Sequence, residues 1–211
     1  MQIWANHLHN LTDARYFAAW NAAYISFQLD PNAEGFLAAN VAEGIRGWVA
    51  GPKIVGSFGL AQTPDEITAT AVLLRLDAVQ VSHFYDITTL SGLDIIVEIS
   101  IDEHTAAAEL SAILLRNAPF AHSFVFNFTK NNLTLTQIQY GEPVAWDFMC
   151  GLLAQYPIWL HFNIAPENIA ALRELPIAGI VLQGGDEERV GVKDFEALDE
   201  ILEAMEEEDN T

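Results

Sequence analysis

Hydrophobic positions in this chain fall into eight short runs rich in β-branched and aromatic residues, each followed by a stretch with helical spacing. Ile54-Val-Gly-Ser-Phe58 is one such run, and it is apolar at most of its positions. This pattern is typical of a parallel strand that helices cover on its outer side. It predicts strands over 2–6, 23–29, 53–58, 78–82, 94–99, 123–128, 158–162 and 179–183.

Start signals for helices lie between these runs. In Thr63-Pro-Asp-Glu66, threonine is at the N-cap, proline is in the first turn and glutamate is at the capping-box position. Ala165-Pro-Glu-Asn168 opens the next-to-last helix in a similar way, and Asp194 is predicted to start the last one. Strands and helices therefore alternate along the whole chain.

Eight strand–helix units at a spacing of about 25 residues predict parallel βαβ connections. No Gly-x-Gly-x-x-Gly follows the first strand, which disfavours an open dinucleotide-binding sheet and indicates no cofactor. We therefore predict an α/β fold, a (β/α)8 TIM barrel, as a single compact domain over residues 1–211. An open doubly wound sheet is the alternative.

Charge limits the partners of this chain. The net charge is −20 over 211 residues, which argues against binding nucleic acid or an anionic membrane surface. Residues 186–211 hold twelve acidic and two basic side chains, and we expect a solvated helix face with a frayed acidic tail from about residue 205. One cysteine and no visible signal peptide predict a cytoplasmic protein.

Five motifs carry a resemblance to one enzyme family. The segment Gly179-Ile-Val-Leu-Gln-Gly-Gly-Asp-Glu-Glu-Arg-Val-Gly-Val-Lys-Asp194 resembles, without gaps, the last strand and Ser-Ser-Gly phosphate loop of the phosphoribosylanthranilate isomerases, followed by their Pro-Gly-Val-Lys-Asp. Segments 157–168, 76–80 and 10–14 and the pair Trp146-Asp147 are similar to further family motifs in the same order. The resemblance implies a TIM barrel, no cofactor, and an Amadori rearrangement of an aminoaldose phosphate in tryptophan biosynthesis.

The two catalytic positions that the resemblance implies are occupied by amides. The family uses a cysteine base at the end of the first strand and an aspartic acid at the end of the sixth. The matching residues are Asn6 and Asn127. A carboxamide neither accepts nor releases a proton near neutral pH, so we expect neither position to perform acid–base catalysis.

Other family positions differ as well. We expect this chain to bind a phosphate less well than the family does, for two reasons. Side chains replace the family's Gly-Gly after strand seven, and Asp186, Glu187 and Glu188 place negative charge next to the remaining glycines. Those glycines form a loop whose N–H groups could hold an anion ahead of a helix. The predicted ligand-binding positions are Gly35, where the family has an arginine, Gln80, Ser82, where it has a histidine, the adjacent His83, and Val181, where it has an aspartate. The vestigial phosphate positions are Phe162, Asn163, Gly184 and Gly185.

Other chemistry at the mouth of the barrel remains open. His7, His9, His83 and His161 lie near strand ends, but their spacing matches no metal motif, and we expect no metal site. A new acid–base pair would combine His83 or His161 with Glu98, whose direction the alternation in 95–100 does not determine. Alternatively, Glu98 points into the barrel and bonds to Gln80, or it points outward.

We therefore expect a catalytically degenerate barrel that binds a small molecule or a protein partner at its C-terminal face. An active isomerase with reassigned groups is the alternative. A structural or adaptor protein with a plugged barrel mouth is a third possibility. The sequence does not identify a protein partner.

Overall fold

Eight parallel strands form a closed barrel in the computed structural model, which describes residues 1–189 and 192–207. Neighbouring strands pair in chain order, and the last pairs with the first from Gln2 opposite Gly179 to Asn6 opposite Gln183. The predicted TIM barrel is thus confirmed. Its strands are β1 (Gln2–Asn6), β2 (Tyr24–Gln28), β3 (Lys53–Ser57), β4 (Ala78–Ser82), β5 (Ile95–Ser100), β6 (Ser123–Asn127), β7 (Ile158–His161) and β8 (Gly179–Gln183).

Helices cover the outside of the barrel. The Thr63 hydroxyl and the Glu66 carboxylate form the predicted capping box at the start of the third helix. Outward-facing strand residues and the inner faces of the helices make one large apolar core. The helices are α1 (Leu11–Ala19), α2 (Ala39–Arg46), α3 (Pro64–Leu74), α4 (Ala107–Asn117), α5 (Leu135–Gln139), α6 (Trp146–Gln155), α7 (Ile169–Arg173) and α8 (Glu196–Glu207).

The strict alternation of strands and helices fails after β4. Only a 3-10 turn, Ile87–Thr89, connects β4 to β5, because the Asp86 side chain accepts a hydrogen bond from Thr88 N and Gly92 adopts a positive φ of 73°. Ile87 and Leu90 are buried and cover part of the barrel wall that a helix would otherwise cover. This connection therefore lacks the predicted helix.

The segment after β8 also differs from the prediction. Gly184 and Gly185 lead into an antiparallel hairpin, β9 (Asp186–Arg189) with β10 (Val192–Asp194), and not directly into a helix. The Asp194 carboxylate then accepts a hydrogen bond from Glu196 N at 2.8 Å at the start of α8, which agrees with its predicted role. Residues 208–211 of the expected acidic tail lie outside the described residues, as do 190 and 191.

The barrel interior has two layers. Eight apolar side chains form a cluster separate from the outer core and fill the lower part of the barrel; we call them the lower layer. Trp159 packs edge-on against Trp4 and Tyr24, with ring centroids 5.6 and 5.3 Å away. This layer closes the barrel below the C-terminal strand ends. Its members are Trp4, Tyr24, Val55, Ala78, Ile96, Val125, Trp159 and Val181.

Two tryptophans outside the strands differ in environment. Trp20, at the end of α1, packs against the outer core, whereas the side chain of Trp48 is 75% exposed. Both have apolar neighbours in the sequence, but Trp48 lies beyond the end of α2 and outside the core. Within the described ranges, we find no helix that is both long and apolar enough to cross a bilayer.

Candidate ligand site at the barrel mouth

A ring of polar side chains lies directly above the lower layer; we call it the upper layer. Each of its members stands two positions after a lower-layer residue on the same strand, so both side chains point into the barrel. Every strand thus changes from apolar to polar at its C-terminal end, where active sites of such barrels are found. The members are Asn6, Ser26, Ser57, Gln80, Glu98, Asn127, His161 and Gln183.

Hydrogen bonds connect β1 to β4 across this ring. The Ser26 hydroxyl donates to Asn6 Oδ1 at 2.9 Å and accepts from His7 N at 3.0 Å. Ser57 Oγ lies 3.0 Å from His7 Nε2 and donates to Gln80 Oε1 at 2.7 Å. Because the Ser57 proton is used on Gln80, His7 donates through Nε2–H and is the neutral Nε2 tautomer.

Glu98 completes the network. Its Oε2 accepts a hydrogen bond from Gln80 Nε2, and its Oε1 accepts one from Asn127 Nδ2 at 3.0 Å. Asn127 is oriented in turn by Thr129, whose N and Oγ1 both donate to Asn127 Oδ1 at 3.0 and 2.7 Å. Glu98 therefore points into the barrel, as one of the alternatives anticipated, and Gln80 is its partner.

Burial sets the protonation of the ionisable groups at the mouth. It raises the pKa of the Glu98 carboxyl, an increase that the hydrogen bonds from Asn127 and Gln80 oppose. Burial, reinforced by the neighbouring His9, lowers the pKa of His7 to about 4, and burial near His7 lowers the pKa of His161 to about 4. Both imidazoles are therefore neutral at pH 7, and neither compensates the charge of Glu98.

One cavity of about 200 Å³ opens at the ends of β1 to β5; we call it the Glu98 cavity. Glu98 and Asp30 are its carboxylates, and His7 is its neutral imidazole. His7 itself adopts a left-handed backbone with φ 48°, a costly conformation for a residue with a side chain. The remaining lining residues are Gln28, Ser57, Phe58, Gly59, Gln80, Val81 and Ser82.

A second cavity, of about 270 Å³, lies at the ends of β7 and β8; we call it the Gly184 cavity. Asp194 contributes to its lining, and a Cβ on Gly184 would lie 2.6 Å from Oδ2 of the buried Asp13. Two carboxylates therefore lie at or behind this loop. In the described part of the chain, neither cavity is lined by a lysine or an arginine.

The four predicted phosphate-binding residues and Val181 differ in how they lie at the Gly184 cavity. Phe162, Asn163, Gly184 and Gly185 all line the Gly184 cavity. Phe162 is nevertheless buried in the outer core and leaves the cavity open. Val181 belongs to the lower layer and also reaches this cavity from below.

The structure separates two other predicted ligand positions from the Glu98 cavity. A Cβ on Gly35 would lie 2.6 Å from His9 Cε1, so the His9 ring occupies the space next to this glycine. His83 follows the inward-facing Ser82 and lies outside the barrel, where its carbonyl accepts a hydrogen bond from Arg116 and its ring contacts the Phe84 ring at an interplanar angle of 39°. His83 is therefore not a partner for Glu98. Among the described residues, no three His, Cys, Asp or Glu side chains form a metal-binding group.

Four residues at the barrel mouth were missed by the sequence analysis. Ser26 and Ser57 share the strand phase of Trp4 and Asn6, so alternation in β2 and β3 was the signal that could have identified them. Asp13 and Asp30 lie on a helix and in a loop. Their positions depend on the loops that follow β1 and β2, and no short sequence motif predicts the course of those loops.

Comparison with curated proteins places this barrel among its relatives. No family model matches the chain. It is 26% identical over 212 residues to the N-(5'-phosphoribosyl)anthranilate isomerase of Deinococcus radiodurans, covering 92% of this chain and 91% of the relative. The chain is similar to a phosphoribosylanthranilate isomerase over almost its whole length. The resemblance predicted from its motifs is thus confirmed.

Solved structures show the same fold. The phosphoribosylanthranilate isomerase of Thermus thermophilus superimposes with a TM-score of 0.73 at 20% identity, covering 97% of this chain and 98% of that one. The enzyme of Thermotoga maritima gives 0.72 at 17% identity, with the same coverage. At these identities the likeness establishes the barrel and leaves its chemistry open.

Compared with the phosphoribosylanthranilate isomerase pattern, this chain has amides at the two proton-transfer positions that the resemblance implies. Asn6 and Asn127 stand in the upper layer, on β1 and β6, where the resemblance puts the base and the acid. Asn6 accepts from Ser26, and Asn127 spans Glu98 and Thr129. Both amides therefore belong to the hydrogen-bond network that orients the mouth.

Proposed function

We propose that this barrel is a catalytically degenerate phosphoribosylanthranilate isomerase homologue that binds a small molecule at its C-terminal mouth, in the cytoplasm. The observation that carries the proposal is the pair of amides, Asn6 and Asn127, at the family's base and acid positions. A carboxamide has no proton to exchange in the working pH range. Positioned acid–base groups contribute about 10²–10⁴-fold each to a rate, so losing both removes most of the catalysis.

Charge at the Gly184 cavity supports the same proposal. The family substrate carries a phosphate, and a phosphate dianion needs cationic or N–H partners in a setting free of carboxylates. Here Asp194 lines the cavity, and its carboxylate already accepts the N–H of Glu196 at the start of α8. Asp13 lies behind Gly184. The side chains of Asp186, Glu187 and Glu188 lie outside the described residues.

The test is an isomerase assay with the full chain. N-(5'-phosphoribosyl)anthranilate is added, its fluorescence decay is followed, and the Deinococcus radiodurans relative serves as the active reference. We expect turnover slower than that of the relative by about 10⁴-fold or more, because both proton-transfer groups are absent. Turnover within tenfold of the reference would contradict the proposal. The double variant Asn6→Cys/Asn127→Asp then shows how much of the loss lies at these two positions.

A second candidate function is an active isomerase in which Glu98 replaces a lost group. One contact favours it, since Glu98 Oε1 lies 3.0 Å from Nδ2 of Asn127, beside the family acid position. Burial raises the pKa of Glu98 above its ordinary value, which favours its use as a proton donor. This candidate requires measurable turnover that Glu98→Gln abolishes. Turnover unaffected by that change would eliminate it.

A further inference from the structure

The charge of the Glu98 cavity is unbalanced. Its described lining holds two carboxylates, from Glu98 and Asp30, and no lysine or arginine. His7 faces the same cavity in its neutral form, and His161, across the mouth, is also neutral at pH 7. A buried charge without an opposite charge is costly, and an incoming cation removes part of that cost.

Two hydrogen bonds favour the charged form of Glu98 against its burial, which raises the pKa of the carboxyl. Each carboxylate oxygen accepts an amide N–H, one from Gln80 and one from Asn127. Neither side-chain amide can rotate freely, because Ser57 donates to Gln80 Oε1 and Thr129 donates twice to Asn127 Oδ1. The network therefore presents a fixed carboxylate, with its remaining lone pairs directed away from the two amide donors.

We propose that the Glu98 cavity binds a small organic ammonium ion, whose cationic group pairs with the Glu98 carboxylate. This inference rests on the proposed small-molecule role of the mouth and names the class of its ligand. The cavity, of about 200 Å³, is several times larger than the roughly 30 Å³ that one water molecule takes in the liquid, so it has room for a small molecule. Asp30, at the same cavity, adds a second attraction, and the net charge of −20 favours the approach of cations.

The side chains favour an organic cation over a metal ion. Among the described residues there is no group of three side chains that could ligate a metal, and both Glu98 oxygens already accept hydrogen bonds. An ammonium ion needs only one or two acceptors from the protein. Ser57, Gln28 and Ser82 offer further polar contacts around the same space.

The test compares cations with neutral molecules of the same shape. Choline is titrated against 3,3-dimethylbutan-1-ol, and ethanolamine against ethylene glycol, using the full chain, calorimetry and NMR shifts. We expect at least one ammonium ion to bind at least tenfold more tightly than its neutral counterpart. Glu98→Gln weakens that binding at least tenfold, whereas Glu43→Gln, on the exposed face of α2, changes it less than twofold.

The pH profile provides an independent readout. Affinity rises with pH through the raised pKa of Glu98, because only the carboxylate attracts the cation. His7 and His161 stay neutral above pH of about 4, and Asp30 is the other titratable group at this cavity. Glu98→Gln removes that pH dependence.

Several results overturn the inference. These are equal binding of neutral and cationic probes, equal binding by wild type and Glu98→Gln, absence of binding by both ammonium ions, and tighter Glu98-dependent binding of Mg²⁺ or Zn²⁺. If Glu98→Gln does not fold, Asp30→Asn replaces it and is expected to weaken choline or ethanolamine binding two- to fivefold; an unchanged affinity then overturns the inference. The isomerase assay is separate, so active turnover with ammonium binding contradicts only the proposed function.

Discussion

The lower and upper layers of the barrel interior stand two residues apart on the same strands, yet they differ completely in chemistry. All eight lower positions are apolar and form one packed cluster. All eight upper positions are polar, and hydrogen bonds join most of them into a network around Glu98. The comparison separates the part of the barrel that holds the fold together from the part where we propose that a ligand binds.

Divergence has affected the two layers unequally. A lower position accepts any apolar side chain of suitable volume, and the barrel remains closed. An upper position sets the charge and hydrogen bonding of the mouth, so an amide in place of a thiol or a carboxylate, as we propose for Asn6 and Asn127, removes an acid–base group and leaves the fold intact. A barrel can therefore keep its TM-score of 0.73 to a family enzyme while its mouth changes chemistry.

The largest expected effect is in the lower layer. Trp159→Ala should lower the free energy of unfolding by about 3–5 kcal/mol, because it empties a site that contacts Trp4 and Tyr24. Urea unfolding followed by circular dichroism measures it. Trp48→Ala, at the 75% exposed tryptophan, is the control and should change stability by no more than about 0.5 kcal/mol. Equal effects of the two changes would show that the lower layer contributes no more to stability than an exposed residue does.

A pH-dependent effect comes next, in the upper layer. The pKa of His161 is lowered from 6.5 to about 4, so between these pH values His161 is protonated in the unfolded chain and neutral in the folded one. Stability should therefore fall as the pH drops from about 6.5 towards 4, by at most about 3 kcal/mol from this residue. His161→Gln should reduce that loss while leaving stability at pH 8 closer to wild type. Urea unfolding from pH 8 to 4 tests it, and an unchanged acid profile would contradict it.

The fold was accessible from sequence because it repeats one simple pattern. Apolar runs and the Thr63 capping box located all eight strands to within one residue at either end and placed the start of α3. The prediction failed where local side-chain bonds replaced regular structure, as at Asp86 in the β4–β5 connection. In the polar segment 129–137, a capping box between Thr134 and Gln137 starts the short helix α5 ahead of α6.

The candidate site was only partly predictable. Asn6, Gln80 and Asn127 could be placed because they end strands that the apolar pattern identifies. The direction of Glu98 could not, because β5 is apolar on both faces and its alternation is therefore uninformative. The Asp13 carboxylate reaches Gly184 across 171 positions of sequence, a contact that only the closed barrel creates.

The smallest expected effect on stability sharpens the difference between the layers. Ser57→Ala leaves His7 Nε2–H and Gln80 Oε1 without their partner, which should cost about 1–2 kcal/mol in urea unfolding, less than Trp159→Ala. Without Ser57, Gln80 is free to turn away from Glu98, so ammonium binding should weaken several-fold. Ser91→Ala, at an exposed serine, is the control and should change neither quantity. If Ser57→Ala destabilises as much as Trp159→Ala and leaves ammonium affinity unchanged, the upper layer is a structural element and not a ligand site.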